Sequence, residues 1–283
     1  MNQPKLTRIA IKSRAKMLLF SNLGKCVAAS VISASVGLLA GFLSSMIAPL
    51  PDMMSLMNGT EIAIEQYMDS ILFMAAVGLL VSIITCPLTM GMYEMFTHLV
   101  RDEEAHIGDI FSWFGEGKRL AKALGANLWY MLITFGWMIL CTCVPIALLL
   151  ATVFNFFMET LLEVGILAIY LVALILYLIG MIYAVYRTIY YTVALYMIAA
   201  EPERKVRETF RECKRIMKNR KGEFFMLNLS FIGWQMLAAF TCGLSIVFVT
   251  PYMNLSFAQY THRVTKLADY VEPEFRYPPY NMQ

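Results

Sequence analysis

Charge is what this chain has least of. Only 15% of its 283 residues are Asp, Glu, Lys or Arg, against about 25% in a typical soluble domain. A surface wetted on all sides needs more charge than that, so an ordinary soluble globular fold is excluded. Histidine is also scarce. His98, His106 and His262 stand apart from one another, which leaves no metal cluster and no His-based catalytic dyad. The six cysteines include no CxxC pair, and none has a histidine at ligand spacing. Cys141 and Cys143 are two positions apart and point about 200° away from each other on a helix. The cysteines therefore read as small apolar thiols. No carboxylate pair or Ser–His arrangement falls inside the apolar runs, so no enzyme activity is expected, and no cofactor or metal is implied. Gly115-Glu116-Gly117-Lys118 lacks the spacing, the following Ser or Thr and the preceding strand of a phosphate loop.

What the chain has instead is apolar length. Hydrophobic residues make up 59% of it and the mean hydropathy is +0.62. Several runs reach the ~20 apolar residues that cross a ~30 Å hydrocarbon core. The expected fold is all-α: a polytopic integral membrane protein with about six transmembrane helices and two cytoplasmic amphipathic helices. The spans are placed at 26–50, 70–93, 127–153, 165–200, 224–240 and 244–263, and the last two, joined by a tight turn at Thr241-Cys242-Gly243, form the hairpin that anchors this reading. Pro87 is expected to kink the second span. The fourth span, unusually long, is expected to kink near Gly180 or to project into the cytoplasm.

The first amphipathic helix occupies residues 1–24, where Ile11, Ala15, Leu18 and Leu19 recur at helical spacing between lysines and arginines. The second occupies 203–221, with Val206, Phe210, Cys213 and Met217 on one face. Both are expected to lie on an anionic inner leaflet, which makes membrane lipids a better partner than nucleic acid. Between spans two and three, Phe111, Trp113 and Phe114 suggest a short interfacial helix. The tail, 264–283, rich in Tyr and Pro, is expected to be disordered.

Orientation follows from where the basic residues fall. Of the 23 Lys and Arg, six precede the first span, four lie in 94–125, one is Arg187, nine lie in 201–223 and three follow the last span. The external loops hold none. Under the positive-inside rule both termini are cytoplasmic.

Candidate functional residues are few. Ala29, Ser33, Gly37, Gly41 and Ser45 are each four apart on the first span, and Gly78, Ser82 and Cys86 form a similar stripe on the second. Small residues at that spacing let another helix backbone approach closely within lipid. Arg187 is the one ionisable residue placed within a span, with Tyr183 and Tyr191 at i−4 and i+4; a planar guanidinium beside two hydroxyls suits an anionic headgroup or a carboxylate. An Arg at headgroup level that merely snorkels among aromatic side chains is the competing reading. Asn228 and Gln235, seven apart, are placed on one face of the fifth span, with Asn127 and Asn254 as partners across helices. Interhelical hydrogen bonding explains that face, and a polar path is the alternative. Glu94 reads as structural, pairing with Arg187 or with a loop cation.

The pattern LSFIGW at Leu229–Trp234, followed by Thr241-Cys242-Gly243-Leu244 and Pro251-Tyr252, resembles the bacterial domain-of-unknown-function 975 family. IKSRAK at Ile11–Lys16, IGDIFSWF at Ile107–Phe114 and YMIAAEPE at Tyr196–Glu203 agree with it. The chain departs from that family's Pro-Gly break and Asp-Pro pair at Ile179-Gly180 and Glu201-Pro202. The resemblance implies a multi-span protein of a bacterial cytoplasmic membrane and supplies no catalytic residues. Two roles then compete. One is an accessory or scaffolding component of a membrane complex, bound to another membrane protein or to a second copy of itself. The other is a lipid or small-anion transporter with a cavity near Arg187.

Overall fold

The computed structural model describes residues 8–47, 61–102, 104, 106–158, 163–241 and 245–271. The loop at 48–60, residues 159–162, the turn at Cys242–Leu244, the tail from 272 and the Ser45 side chain lie outside the described residues. Every described element is helical, ten α-helices and two 3-10 helices. The α-helices are α1 (Arg8–Ser21), α2 (Leu23–Ile47), α3 (Glu61–Asp102), α4 (Gly117–Met158), α5 (Glu163–Thr188), α6 (Thr192–Ala200), α7 (Val206–Ile216), α8 (Lys221–Leu229), α9 (Ile232–Phe240) and α10 (Ile246–Val271). The 3-10 helices are Ile107–Phe114 and Ile189–Tyr191.

Among the described residues, three stretches are long and apolar enough to cross a membrane: Ile71–Asp102, Gly117–Thr152 and Leu167–Ala200. The pair α1–α2, bent by 94° at Asn22, makes a fourth if counted as one broken span. The apolar window of each of the three is only 11% buried, so these helices present their side chains outward. At 42 residues, α3 and α4 each measure about 63 Å at 1.5 Å per residue, twice a hydrocarbon core. Both helices run on beyond the stretches expected to cross, 70–93 and 127–153. Each helix runs on past its proline, Pro87 in α3 and Pro145 in α4.

The last hairpin is built differently from the expectation. Its first arm is two nine-residue helices, α8 and α9, separated at Ser230–Phe231. Its second arm, α10, runs on to Val271, so the first eight residues of the predicted disordered tail are helical, with Val264 buried. The fourth apolar stretch does break, but not at Gly180. α5 continues through Gly180 and ends at Thr188, where the 3-10 turn begins. Gly180 is needed for a different reason: a Cβ there would overlap the Cys141 carbonyl oxygen of α4.

The chain divides into two compact units. The first comprises residues 1–124, 196–204 and 231–283, and its core joins α1, the polar end of α3, the first 3-10 helix and α10. Ile11, Ala15, Leu18 and Leu19 are all buried there, the face read from the sequence. The stripe is spent against protein, chiefly α10 and α3, instead of lying on a leaflet; the side of α1 left outside carries Ile9, Met17 and Phe20. Met90, Met95, Phe96 and Leu99 of α3 and Leu255, Ala258 and Tyr260 of α10 complete the core.

The first 3-10 helix docks on α3 at Gly91, where a Cβ would lie 2.6 Å from the Ile110 carbonyl carbon and 2.8 Å from the Asp109 oxygen. Trp113, predicted to be interfacial, is fully buried instead and donates its Nε1–H to Glu94 Oε2 at 2.7 Å; Ser112 Oγ donates to the same oxygen at 2.6 Å. Phe111 and Phe114 remain exposed. The loop cation that meets Glu94 is Arg119, at 3.9 Å, and His98 contacts Asp109 at 3.1 Å.

The second unit comprises residues 125–195 and 205–230. Within it α7 buries Phe210, Cys213 and Met217, as its periodicity predicted, with Val206 half-buried. Phe210 stacks on Tyr191 at 5.9 Å, so this apolar face is also satisfied by protein.

Candidate functional site

Arg187 sits in the last turn of α5, inside the second unit. The helix stops one residue later, at Thr188, whose hydroxyl donates to the Ala184 carbonyl at 2.9 Å. The guanidinium lies over the Trp137 ring at 4.3 Å and faces Tyr183 at 5.9 Å. Trp137 and Tyr183 meet edge to face at 6.4 Å. Cation–π contacts of this kind contribute about 0.5–2 kcal/mol. Nε of Arg187 is buried without a hydrogen-bond partner, and no carboxylate among the described residues pairs with the side chain.

A second cation stands in the same unit. Lys221, at the start of α8, places Nζ over the Tyr190 ring at 4.3 Å. Its pKa is lowered, first by burial and then by repulsion from Arg187 and Lys214. Tyr190 stacks on Tyr191 at 4.3 Å, and the Tyr190 carbonyl accepts a weak bond from the Cys213 thiol at 3.5 Å. Burial pushes that thiol up to about 12. Glu223, two residues beyond Lys221, lies 3.7 Å from Arg220. The result is two cations held on aromatic faces without a paired carboxylate.

Of the residues expected around Arg187, Tyr183 is in place. Tyr191 is not at i+4 on a continuous helix, because the 3-10 turn rotates it onto Tyr190 and Phe210. Asn228 donates to the Phe224 carbonyl of its own helix at 2.9 Å. Gln235 donates weakly to the Met253 sulfur at 3.7 Å. The break at Ser230–Phe231 removes the seven-residue register that was to put Asn228 and Gln235 on one face. Asn254 instead accepts from the Tyr196 hydroxyl at 3.0 Å. Lys221 and Trp137 escaped the sequence reading: one is among nine basic residues in its segment, the other an isolated aromatic in an apolar run.

The first unit holds two open grooves along α10. One, about 360 Å³, is lined by Ser30, Ser33 and Leu38 of α2 with Ile246 and Thr250; the other, about 290 Å³, by Gln235, Ala238, Met253 and Asn254. On the small-residue stripes, Ala29 is buried and Ser33 half-buried. Gly37, Gly41 and Gly78 are exposed, and a Cβ at any of them would meet nothing within 4 Å. Ser82 turns its hydroxyl onto the Leu79 carbonyl. Cys26, Cys86, Cys141, Cys143 and Cys213 are all free thiols, and among the described residues no three His, Cys, Asp or Glu side chains group as metal ligands.

These features define an all-helical protein with three or four helices able to cross a membrane, a packed polar end and a cationic cluster on aromatic rings. The chain belongs to the family described as Protein of unknown function (DUF975), whose model matches residues 1–268. No curated protein and no solved structure matches it.

Proposed function

We propose that this protein is a multi-pass protein of a bacterial cytoplasmic membrane and serves there as an accessory or scaffolding component of a membrane complex. One observation carries the role: the glycines Gly37 and Gly41 of α2 and Gly78 of α3 are open to their surroundings, in helices whose apolar side chains face outward. Within lipid such faces gain from close backbone approach by another helix, so a partner protein or a second copy is the expected occupant. The threading we infer has six crossings with both termini cytoplasmic. The distribution of the 23 basic residues supports it, with the fifth crossing at 224–240 and the basic segment before it on the cytoplasmic side.

The test is purification from native membranes in mild detergent, with mass spectrometry of the proteins that remain bound. The Gly37→Leu/Gly41→Leu double variant is expected to fold and insert as the wild type does, since nothing fills that space, and to lose the partner. A wild type that retains no partner and no second copy, or a variant that keeps its partner, refutes the scaffold role. A carrier of lipid or small anions is the second reading, favoured by the guanidinium of Arg187 lacking a carboxylate. Its signature is transport activity lost in Arg187→Ala.

A further inference from the structure

We propose that Arg187 and Lys221 together bind the phosphate group of an anionic phospholipid, one without a choline cation to answer its charge, in the cytoplasmic leaflet. The site rests on the membrane placement above but on neither role, since a scaffold and a carrier can both hold a lipid.

The geometry of the two cations carries the argument. A guanidinium held over an indole by cation–π attraction still has N–H donors to offer an oxyanion. Arg187 holds its Cζ over the Trp137 ring at 4.3 Å, its Nε has no hydrogen-bond partner, and no carboxylate answers its charge among the described residues. Lys221 repeats the arrangement on Tyr190. Like charges drawn out of water repel, and an anion between them removes that cost. Glu223, two residues beyond Lys221, faces Arg220 at 3.7 Å. Lys214 adds to the positive field at Lys221.

Depth distinguishes a lipid phosphate from a soluble anion. Arg187 lies 20 residues (187 minus 167) beyond Leu167, where the crossing stretch begins. At 1.5 Å per residue that is about 30 Å, one hydrocarbon thickness, which puts the guanidinium at the opposite headgroup layer.

The experiment uses the full chain in nanodiscs made of diacylglycerol-doped phosphatidylcholine, titrated with phosphatidylglycerol, and in detergent for native mass spectrometry with the same lipids. Phosphatidylglycerol is expected to be retained and to alter Trp137 fluorescence, a change missing in Trp137→Phe. Diacylglycerol, which has the same chains without phosphate, is not retained. Arg187→Gln and Lys221→Gln should each weaken retention about tenfold or more, the range for losing a charge-assisted hydrogen bond. Arg187→Lys, which keeps the charge but not the fork, should fall between. Lys214→Gln should change it little. Retention unchanged in the Arg187→Gln/Lys221→Gln double variant overturns the site. Displacement of the lipid by millimolar inorganic phosphate, with equal binding of phosphate alone, overturns the lipid source in favour of a soluble phosphate. Failure to insert into nanodiscs at all refutes the membrane placement instead, so the two failures are separate.

Discussion

Replacing Gly91 by alanine adds one methyl group to a 32.2 kDa protein and should undock an entire segment. The Cβ would meet backbone, the carbonyl group of Ile110 at 2.6 Å to carbon and Asp109 at 2.8 Å to oxygen. Ordinary contact begins at 3.4 Å, so the 3-10 helix must retreat by nearly an ångström. Its anchor does not tolerate that. Ser112 and Trp113 reach one carboxylate oxygen of Glu94 at 2.6 and 2.7 Å, and such charge-assisted bonds contribute about 1.5–3 kcal/mol each. Trp113 is fully buried, and an aromatic of that size accounts for about 4–6 kcal/mol of apolar burial as an upper bound. Losing one bond and loosening the ring gives an expected cost of about 2–4 kcal/mol for local opening of residues 107–114. At about 1.4 kcal/mol per decade, their amide hydrogens should then exchange roughly 30- to 1,000-fold faster. The control is Gly78→Ala on the same helix, where nothing lies within 4 Å; it should be neutral or stabilising by up to about 1 kcal/mol. Wild-type protection of residues 107–114 in Gly91→Ala would refute the docking argument.

Other consequences follow from the same packing. Glu94→Ala leaves the Trp113 indole N–H buried and unpaired, so it should cost about 2–3 kcal/mol in thermal unfolding in detergent, and more than Ser112→Ala, which removes a single donor. Gly180→Val drives a branched side chain into the Cys141 carbonyl and should lower the unfolding temperature, whereas Gly136→Ala on α4, with nothing within 4 Å, should not; equal behaviour of the two would show that α4 and α5 do not approach at Gly180. Cys213, raised from an ordinary value of 9.0 to about 12 by burial, should resist maleimide at pH 8 until the fold is opened with dodecyl sulfate. Because its folded pKa is the higher one, its contribution to stability is complete below about pH 9 and declines as pH rises toward 12. Cys213→Ala should flatten that alkaline decline.

Much of this architecture was legible before any coordinates. The amphipathic faces of α1 and α7 follow from periodicity alone: Ile11, Ala15, Leu18 and Leu19, and then Phe210, Cys213 and Met217, are the residues that end up buried. Periodicity reports which face avoids water, because any apolar surroundings satisfy the same side chains. It does not report what covers that face, and here the cover is α10, α3 and Tyr191 where lipid was expected. Arg187 and Tyr183 were legible for a similar reason, since i and i+4 are neighbours on any unbroken helix.

What the sequence determined by itself is the all-helical character and the apolar lengths, because both depend on local composition and on the requirement that backbone groups in hydrocarbon be satisfied within one segment. The tertiary structure decided where helices stop and what meets across them. The turn at Ile189–Tyr191 carries Tyr191 away from the guanidinium, and the break at Ser230–Phe231 dissolves the Asn228–Gln235 face. Trp113 turns inward to Glu94, and Lys221 is singled out from the nine cations of its segment by the ring of Tyr190 beneath it. Each is a contact between residues distant in sequence, or a break no single side chain announces, and neither leaves a period in the sequence to be read.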